Sequence, residues 1–151
     1  MHEILDLTRA PSPPRTAEII IGASTRGQTE EVRQLIAAGV NVTARDRRQS
    51  TALHEASAGG HNEIVAMLLN KGADCSPKTR NGTTPLHQAS IGGHVETASL
   101  LLEAGAGANA ANADKRTPLH LAASNGHPAV ASTLINGGAN VDARDGRDPK
   151  P

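Results

Sequence analysis

Histidine is the residue of this chain most able to do chemistry, because imidazole binds metals and exchanges protons near neutral pH. Six of the seven histidines form two evenly spaced series that share one interval. The first series is His54, His87 and His120, and the second is His61, His94 and His127. The ligands of one metal ion must converge to about 2 Å from it. Because a repeat spreads equivalent side chains along the molecule, we predict structural histidines and no metal site.

The other reactive side chains form no recognisable catalytic motif. Cys75, the single cysteine, has no special sequence neighbourhood and is predicted to be a small buried apolar residue. Ser57 and His61 are close together only as part of the recurring pattern. Gly59-Gly60 and Gly92-Gly93 lack the Lys-Ser/Thr that follows a phosphate-binding loop. We therefore assign no catalytic, cofactor-binding or metal-binding residue, and we expect that the chain is not an enzyme.

The composition restricts the kind of core that these residues can build. The chain has 151 residues, of which 37% are hydrophobic, and it contains no Phe, Tyr or Trp. Aromatic side chains supply much of the buried area in most globular cores. A chain without them has to bury thin, even layers of Leu, Ile, Val and Ala.

Charge and cysteine content indicate a compartment and exclude some ligands. The 15 basic and 15 acidic residues balance, so bulk charge does not favour a nucleic acid or a membrane surface. A single cysteine cannot form an internal disulfide, which fits a reducing compartment. The N-terminus lacks the features of a signal peptide, and the apolar run Ile19–Ile21 is too short to span a membrane. We expect an intracellular protein, with the cytoplasm favoured over the nucleus.

A repeat of about 33 residues accounts for most of the chain. Thr51-Ala52-Leu53-His54 recurs as Thr84-Pro85-Leu86-His87 and as Thr117-Pro118-Leu119-His120. A degenerate first copy lies one repeat length before the second, with Ala23, Gly27, Leu35, Ile36 and Gly39 in matching places. We predict four copies, one to four, at about 13–45, 46–78, 79–111 and 112–144. Residues 1–12 are predicted to be a disordered lead-in, and 145–151 a tail that begins a fifth copy.

Each copy contains the signals for two short helices. Threonine is a favoured N-cap, and Pro85 and Pro118 fit the first helical position, where a missing N–H costs nothing. Glycine before the second histidine predicts the end of the first helix. Val65, Leu68 and Leu69 then form the buried stripe of a second helix. Helices shorter than about 12–15 residues are marginal alone, so the copies must stabilise one another by stacking.

The unit resembles the ankyrin repeat, whose T-P-L-H-x-A signature is present as Thr84 to Ala89 and Thr117 to Ala122, while copy two has Ala52 in place of proline. The resemblance covers about 130 of the 151 residues. It implies an all-α solenoid of four stacked helix-turn-helix repeats joined by hairpin-like connectors. It also implies that the histidines tie the loops of adjacent repeats together by hydrogen bonds.

The two ends of the predicted solenoid differ. Copy one has Glu31, Arg33 and Gln34 where copy two has apolar residues, and a polar outer face is what a terminal repeat needs. In copy four Val130 and Leu134 keep the internal pattern. We therefore predict an uncovered apolar flank around them, to which further repeats or another molecule would bind. A frayed last repeat is the alternative.

Basic residues concentrate in the connectors, which hold nine of the fifteen. The nine are Arg45, Arg47, Arg48, Lys78, Arg80, Lys115, Arg116, Arg144 and Arg147. Six acidic residues share the same connectors: Asp46, Asp74, Asp114, Asp142, Asp145 and Asp148. Charged turns are commonly no more than solvated surface. The alternative is that this ridge steers an acidic partner towards the concave side.

The resemblance implies binding through the connector tips and the exposed side of the first helices, which together form a concave groove. The predicted contact residues are Arg47, Arg48, Ser50, Ala58, Arg80, Asn81, Thr83, Ile91, Ala113, Asp114, Arg116, Ser124 and Asn125. Ile91 is the one bulky apolar residue among them. If it is exposed, it is the candidate for a central anchor with a polar surround, and otherwise an isolated surface aliphatic residue.

These features predict a non-catalytic scaffold for protein–protein interaction, whose partner the sequence does not name. A second hypothesis is an accessory segment that targets a larger enzyme or receptor. A remote third is nucleic-acid binding along the basic ridge. The lack of aromatic residues for base stacking and the neutral net charge both disfavour it.

Overall fold

The computed structural model describes residues 13–142, with side chains from residue 16. Within that range the chain forms eight α-helices and no β-strand, which confirms the predicted all-α class. The first helices of the four pairs are α1 (Pro13–Thr25), α3 (Ala52–Gly59), α5 (Pro85–Gly92) and α7 (Pro118–Ser124). The second helices are α2 (Thr29–Ala37), α4 (Asn62–Asn70), α6 (Val95–Glu103) and α8 (Pro128–Asn136). The lead-in predicted at 1–12 and the tail at 145–151 lie outside the described residues.

A reciprocal pair of hydrogen bonds starts α3, α5 and α7. In α5 the Thr84 hydroxyl accepts from the backbone N–H of His87 at 3.3 Å, and His87 Nδ1 accepts from the backbone N–H of Thr84 at 3.1 Å. This is a capping box in which histidine replaces the usual Glu or Gln at the third helical position. Pro85 occupies the first helical position, as predicted. The threonine caps were predictable, whereas the capping role of histidine was not.

Glycine ends α3 and α5, as the pattern predicts. Gly93 follows α5 in the left-handed conformation, at φ 76°, and its N–H bonds to the carbonyl of Ala89. Glycine adopts this conformation without the steric penalty of a Cβ. The chain can therefore reverse within two residues and start α6, so the two helices of one copy pack against each other.

The core lies between two layers of helices. The first helices α1, α3, α5 and α7 pack in succession, as do the second helices α2, α4, α6 and α8. One alanine at the same repeat position of each first helix is fully buried, and its small side chain lets neighbouring helices approach closely: Ala23, Ala56, Ala89 and Ala122. Val65 and Leu68 of α4 are also fully buried, while Leu69 is half-buried against them. Full burial of a leucine such as Leu68 contributes roughly 1.5–3 kcal/mol.

The N-terminal copy has the polar outer face that its sequence predicts. Arg33 and Gln34 of α2 are exposed, whereas Val32 between the two layers has no exposed surface.

None of the helices in residues 13–142 combines the length and apolar character needed to cross a membrane.

The prediction that Val130 and Leu134 lie on an uncovered flank is wrong. Both are 0% exposed, because α8 packs against α7 of its own copy and against α6 of the preceding copy. Ile64 and Leu68 occupy the same places in copy two and are equally buried. The predicted docking residues are therefore part of the core.

Other apolar residues of copy four are exposed at this end. Val141 is 62% exposed, whereas Val42 and Ala108, at the same repeat position, are 9% and 8% exposed. Ile135 of α8 is exposed as well, while the equivalent Leu102 is half-buried beside Gly137. The uncovered surface consists of residues that a following copy covers elsewhere in the stack.

Candidate functional site

A connector joins the second helix of one copy to the first helix of the next, and each described connector reverses at a two-residue tip. We call the three tips the tip row: Arg47-Arg48, Arg80-Asn81 and Ala113-Asp114. Every tip is closed by a backbone hydrogen bond of 2.9 Å, such as that from the N–H of Gln49 to the carbonyl of Asp46. Gln49 and Lys115 hold the left-handed conformation there, at φ 65° and 62°. The connectors are therefore hairpin-like, as expected, and hold their tips in a defined geometry.

Hydrogen bonds also join one tip to the next. The N–H of Arg80 donates to the carbonyl of Arg48 at 3.0 Å, and the N–H of Ala113 donates to the carbonyl of Asn81 at 2.9 Å. The guanidinium of Arg45 bridges copies two and three by donating to the Lys78 carbonyl at 2.8 Å. These bonds fix the spacing of the tip row before any partner binds.

The first histidine series forms hydrogen bonds to the connectors. His54 Nε2 donates to the carbonyl of Thr83 at 2.9 Å, and His87 Nε2 donates to that of Arg116 at 2.9 Å. The Nδ1 atoms accept backbone N–H groups, so both rings are neutral and protonated at Nε2. Burial lowers the pKa of His54 and His87 below the ordinary value of 6.5, although the carbonyl acceptors oppose that shift.

The second series ties the helix turns together. His94 Nε2 donates to the carbonyl of Ala58 in the preceding copy at 3.0 Å, and His127 Nε2 donates to that of Ile91 at 3.0 Å. The loop-to-loop bonding that the resemblance implied is therefore present in the structure. Among residues 16–142, no three His, Cys, Asp or Glu side chains are placed to hold one metal ion.

A polar groove lies below the tips of copies two and three, with a cavity volume of about 300 Å³. Its lining, which we call the inter-connector groove, comprises Arg48, Ser50, Glu55, Thr79, Arg80, Asn81, Thr83 and Gln88. The arginines come from the tips, while Glu55 and Gln88 come from the first helices α3 and α5. The groove therefore offers guanidinium donors from one side and carboxylate and amide groups from the other.

The structure brings five of the predicted contact residues together in this groove: Arg48, Ser50, Arg80, Asn81 and Thr83. Glu55 and Gln88 were missed by the sequence analysis. They occupy the same repeat position, three residues before Ala58 and Ile91, and residues three apart share one face of a helix. That spacing was the signal that could have found them.

Ser50 is a correction to the predicted contact surface. Its side chain is buried, at 3% exposed, and its hydroxyl donates to Glu55 Oε2 at 3.0 Å. The backbone N–H of Ser50 is also used, because it donates to Asp46 Oδ1 at 2.9 Å. Ser50 therefore orients the Glu55 carboxylate instead of presenting a free hydroxyl to a partner.

Two predicted contact residues of copy four are engaged with each other. Arg116 Nη2 donates to Ser124 Oγ at 3.0 Å, which lays the guanidinium back over α7. Asn125, also a predicted contact, donates through its side chain to the carbonyl of Leu121 at 2.8 Å. Ala113 and Asp114 are exposed at the tip. Internal hydrogen bonds therefore engage Arg116, Ser124 and Asn125, while the tip of copy four is left exposed.

Ile91 is 42% exposed on α5, one turn after Gln88. Exposure was the condition for Ile91 to be the candidate central apolar anchor, and the structure meets it. The polar groove lies beside this residue, since Gln88 of the same helix lines it. Ala58, at the same position of copy two, is half-buried and small. An apolar side chain of a partner would therefore find a protruding contact at Ile91 and a shallow one at Ala58.

Some predicted features are placed elsewhere or not described. Cys75 is half-buried, with its Sγ 3.4 Å from the carbonyl of Ala104 and packed against the core, so it is less buried than predicted. Arg144 and Arg147 of the basic ridge lie outside the described residues, as do Asp145 and Asp148. The structure therefore describes the ridge only within residues 13–142.

Comparison with known families agrees with this architecture. A family model described as "Ankyrin repeats (3 copies)" matches residues 7–79 and again residues 72–145. The matched ranges overlap and together span most of the chain. No curated protein matches the sequence.

Proposed function

We propose that this chain, which belongs to the ankyrin-repeat family, is a non-catalytic scaffold whose partner binds the inter-connector groove and the adjoining face of α5. Ankyrin repeats are generally modules for protein–protein interaction and are typically non-catalytic. The groove, the tip row and Ile91 form the part of the described surface that best supports such a role.

The exposure of Ile91 beside the polar groove is the observation that carries the proposal. Protein interfaces commonly combine a desolvated apolar centre with a polar rim. Here Ile91 supplies the apolar centre, while Arg80 and Asn81 supply donors at the rim. Because hydrogen bonds between connectors already hold the tips in place, little backbone conformational entropy has to be lost on binding.

The groove lacks the side chains that dominate tight interfaces. Tryptophan and tyrosine are the most frequent hot-spot residues besides arginine, and this chain has neither. The arginines of the tip row and Ile91 are left as the residues able to contribute most. We therefore expect modest affinity and a large loss of binding when these few residues are changed.

Partner recovery from a cell extract tests the proposal with two matched double variants. Arg80→Glu/Ile91→Glu changes the groove, and Lys71→Glu/Ile135→Glu makes the same two changes on exposed residues outside it. A specific protein recovered by the wild type and the control, but at least about tenfold less by the groove variant, would support the proposal.

Equal recovery by all three proteins would exclude the groove. Recovery lost only by the control would place binding at Lys71, directly after α4, or at Ile135 of α8. Thermal unfolding of each variant has to be measured first. Both double variants change surface residues, so we expect melting temperatures close to that of the wild type.

A further inference from the structure

Charge is unevenly distributed along the tip row. Copy two presents two arginines at its tip, Arg47 and Arg48, copy three presents Arg80 with the neutral Asn81, and copy four presents Asp114. All of these side chains are exposed. The row therefore carries two positive charges at copy two and one at copy three, whereas at copy four the charge of Asp114 is offset by the exposed Lys115 that follows it.

Within the part of the chain that the structure describes, the three tip arginines form no ion pair with an acidic residue. The ion pairs among residues 16–142 are Arg26–Glu31 and Arg33–Glu30, and neither includes a tip residue. The nearest carboxylate in sequence, Asp46, accepts the backbone N–H groups of Arg48 and Ser50 at 2.9 Å, so it is committed to its own turn. The guanidinium groups are left to face solvent, with five N–H donors each.

The floor of the groove has the opposite character. Glu55 is half-buried and held by the Ser50 hydroxyl, and Gln88 lies one copy further along. A carboxylate at this depth would repel a second anion but would accept hydrogen bonds from N–H groups. The groove thus has a basic rim of tip arginines and a floor of hydrogen-bond acceptors, Glu55 and Gln88.

We infer that the partner presents an acidic, extended peptide segment to the tips of copies two and three, with its carboxylates on Arg47, Arg48 and Arg80 and its N–H groups towards Glu55 and Gln88. This inference rests on the proposed function and names the chemistry of the partner. The acidic residues lie at the tips of copies two and three, because the charges on those tips are all positive, whereas Asp114 and Lys115 offset each other at copy four.

The spacing of the tips fits such a segment. Backbones joined by N–H···O bonds, as Arg80 is to Arg48, lie about 5 Å apart. Side chains on one face of an extended peptide recur about every 7 Å. Arginine stems can span that difference, and guanidinium groups bind carboxylates through two parallel hydrogen bonds.

A nucleic acid fits this surface less well. Single strands are commonly bound by stacking bases on aromatic residues, and the chain has no Phe, Tyr or Trp. A continuous line of phosphates would also meet the carboxylates of Glu55 and Asp114. Nucleic-acid binding is therefore treated as a competing outcome of the experiment.

Selection from a display library of random short peptides tests the inference on the full chain. Enriched peptides are synthesised with a fluorescent label, and their Kd is measured by anisotropy. The proteins are the wild type, Arg47→Glu/Arg80→Glu, and the control Arg33→Glu/Lys71→Glu, which reverses one charge on α2 and one directly after α4. A mixed-sequence single-stranded oligonucleotide serves as the competing ligand.

We expect enriched peptides with a net negative charge, binding at least about tenfold more weakly to the tip variant and equally to wild type and control. Their affinity should fall as salt is raised. Neutral or basic peptides, no enrichment at all, equal loss in both variants, or tighter binding of the oligonucleotide would each overturn the inference. If the groove variant still loses its partner from the extract, the proposed function survives that failure.

Discussion

Copies three and four contain the same Thr-Pro-Leu-His sequence, but their surroundings bury it to different extents. Leu86 and His87 of copy three have no exposed surface, whereas Leu119 and His120 of copy four are half-buried. The position held by buried Ser90 in copy three is an exposed alanine, Ala123, in copy four. Within the described residues, copy three lies between two neighbours and copy four has one.

This contrast shows how stability is distributed in the molecule. A repeat contacts only its neighbours, so the total is approximately a sum of intrinsic terms and interfaces between adjacent copies. An identical residue therefore contributes more to the free energy of unfolding in the middle of the stack than at its end. The following predictions test this difference, from the largest expected effect to the smallest.

Replacing the signature leucine should show the contrast most strongly. Leu86→Ala removes a fully buried side chain and should cost about 2–5 kcal/mol. Leu119→Ala, at the half-buried equivalent, should cost roughly half as much. The free energy of unfolding from urea titration measures both. Equal losses would show that the end copy is packed as tightly as an internal one.

Replacing glycine isolates the contact made by the second histidine series. Gly93 and Gly126 have nearly the same φ, 76° and 75°, so alanine is strained at both sites, by about 1–2 kcal/mol. A Cβ at residue 93 would lie 2.6 Å from His127 Nδ1, whereas nothing lies within 4 Å at residue 126. Gly93→Ala should therefore be the more destabilising by about 1–3 kcal/mol. Matching unfolding free energies for the two variants would argue against a rigid His127.

Acid should weaken the internal copies through the buried histidines. Burial lowers the folded-state pKa of His54 and His87 below 6.5, so the unfolded chain binds protons first as the pH falls. The contribution of these two neutral histidines to the free energy of unfolding is complete above about pH 6.5 and is lost as the pH falls through their folded-state pKa values. Over that range the free energy of unfolding falls by up to about 1.4 kcal/mol per pH unit for each histidine.

Unfolding measured between neutral and mildly acidic pH should thus show a shallower slope for His87→Gln than for the wild type. Leu119→Ala, which retains both histidines and is also destabilised, is the control and should keep the wild-type slope. An unchanged slope in His87→Gln would remove this histidine from the acid response.

The smallest effect is expected at the buried serines. Ser57 Oγ is buried without a hydrogen-bond partner, whereas Ser90 Oγ donates to the carbonyl of Leu86 at 2.7 Å. Ser57→Ala should be neutral or stabilising by up to about 1 kcal/mol, because it removes an unsatisfied polar group. Ser90→Ala should be slightly destabilising. Differential calorimetry is sensitive enough to measure these small changes in stability. A loss of stability in Ser57→Ala would show that the Ser57 hydroxyl has a hydrogen-bond partner.

The sequence alone determined the helical repeat architecture, because its signals act over short distances. A threonine cap, a proline at the first helical position and a glycine after the last turn each act within a few residues of the chain. Their recurrence at a fixed interval then requires stacking. The hairpin-like tips and the exposed face that includes Ile91 follow from the same register.

Tertiary structure decided which of these residues are available to a partner. Ser50 is buried against Glu55, Arg116 bonds to Ser124, and Val130 and Leu134 belong to the core. The first two outcomes are hydrogen bonds within one copy, whereas the burial of Val130 and Leu134 depends on the packing of α8 against α7 and α6. All three depend on side-chain directions that a periodic pattern does not specify. The sequence therefore predicts which face of a repeat is free, while hydrogen bonds within each copy and packing between helices set how much of it is left for binding.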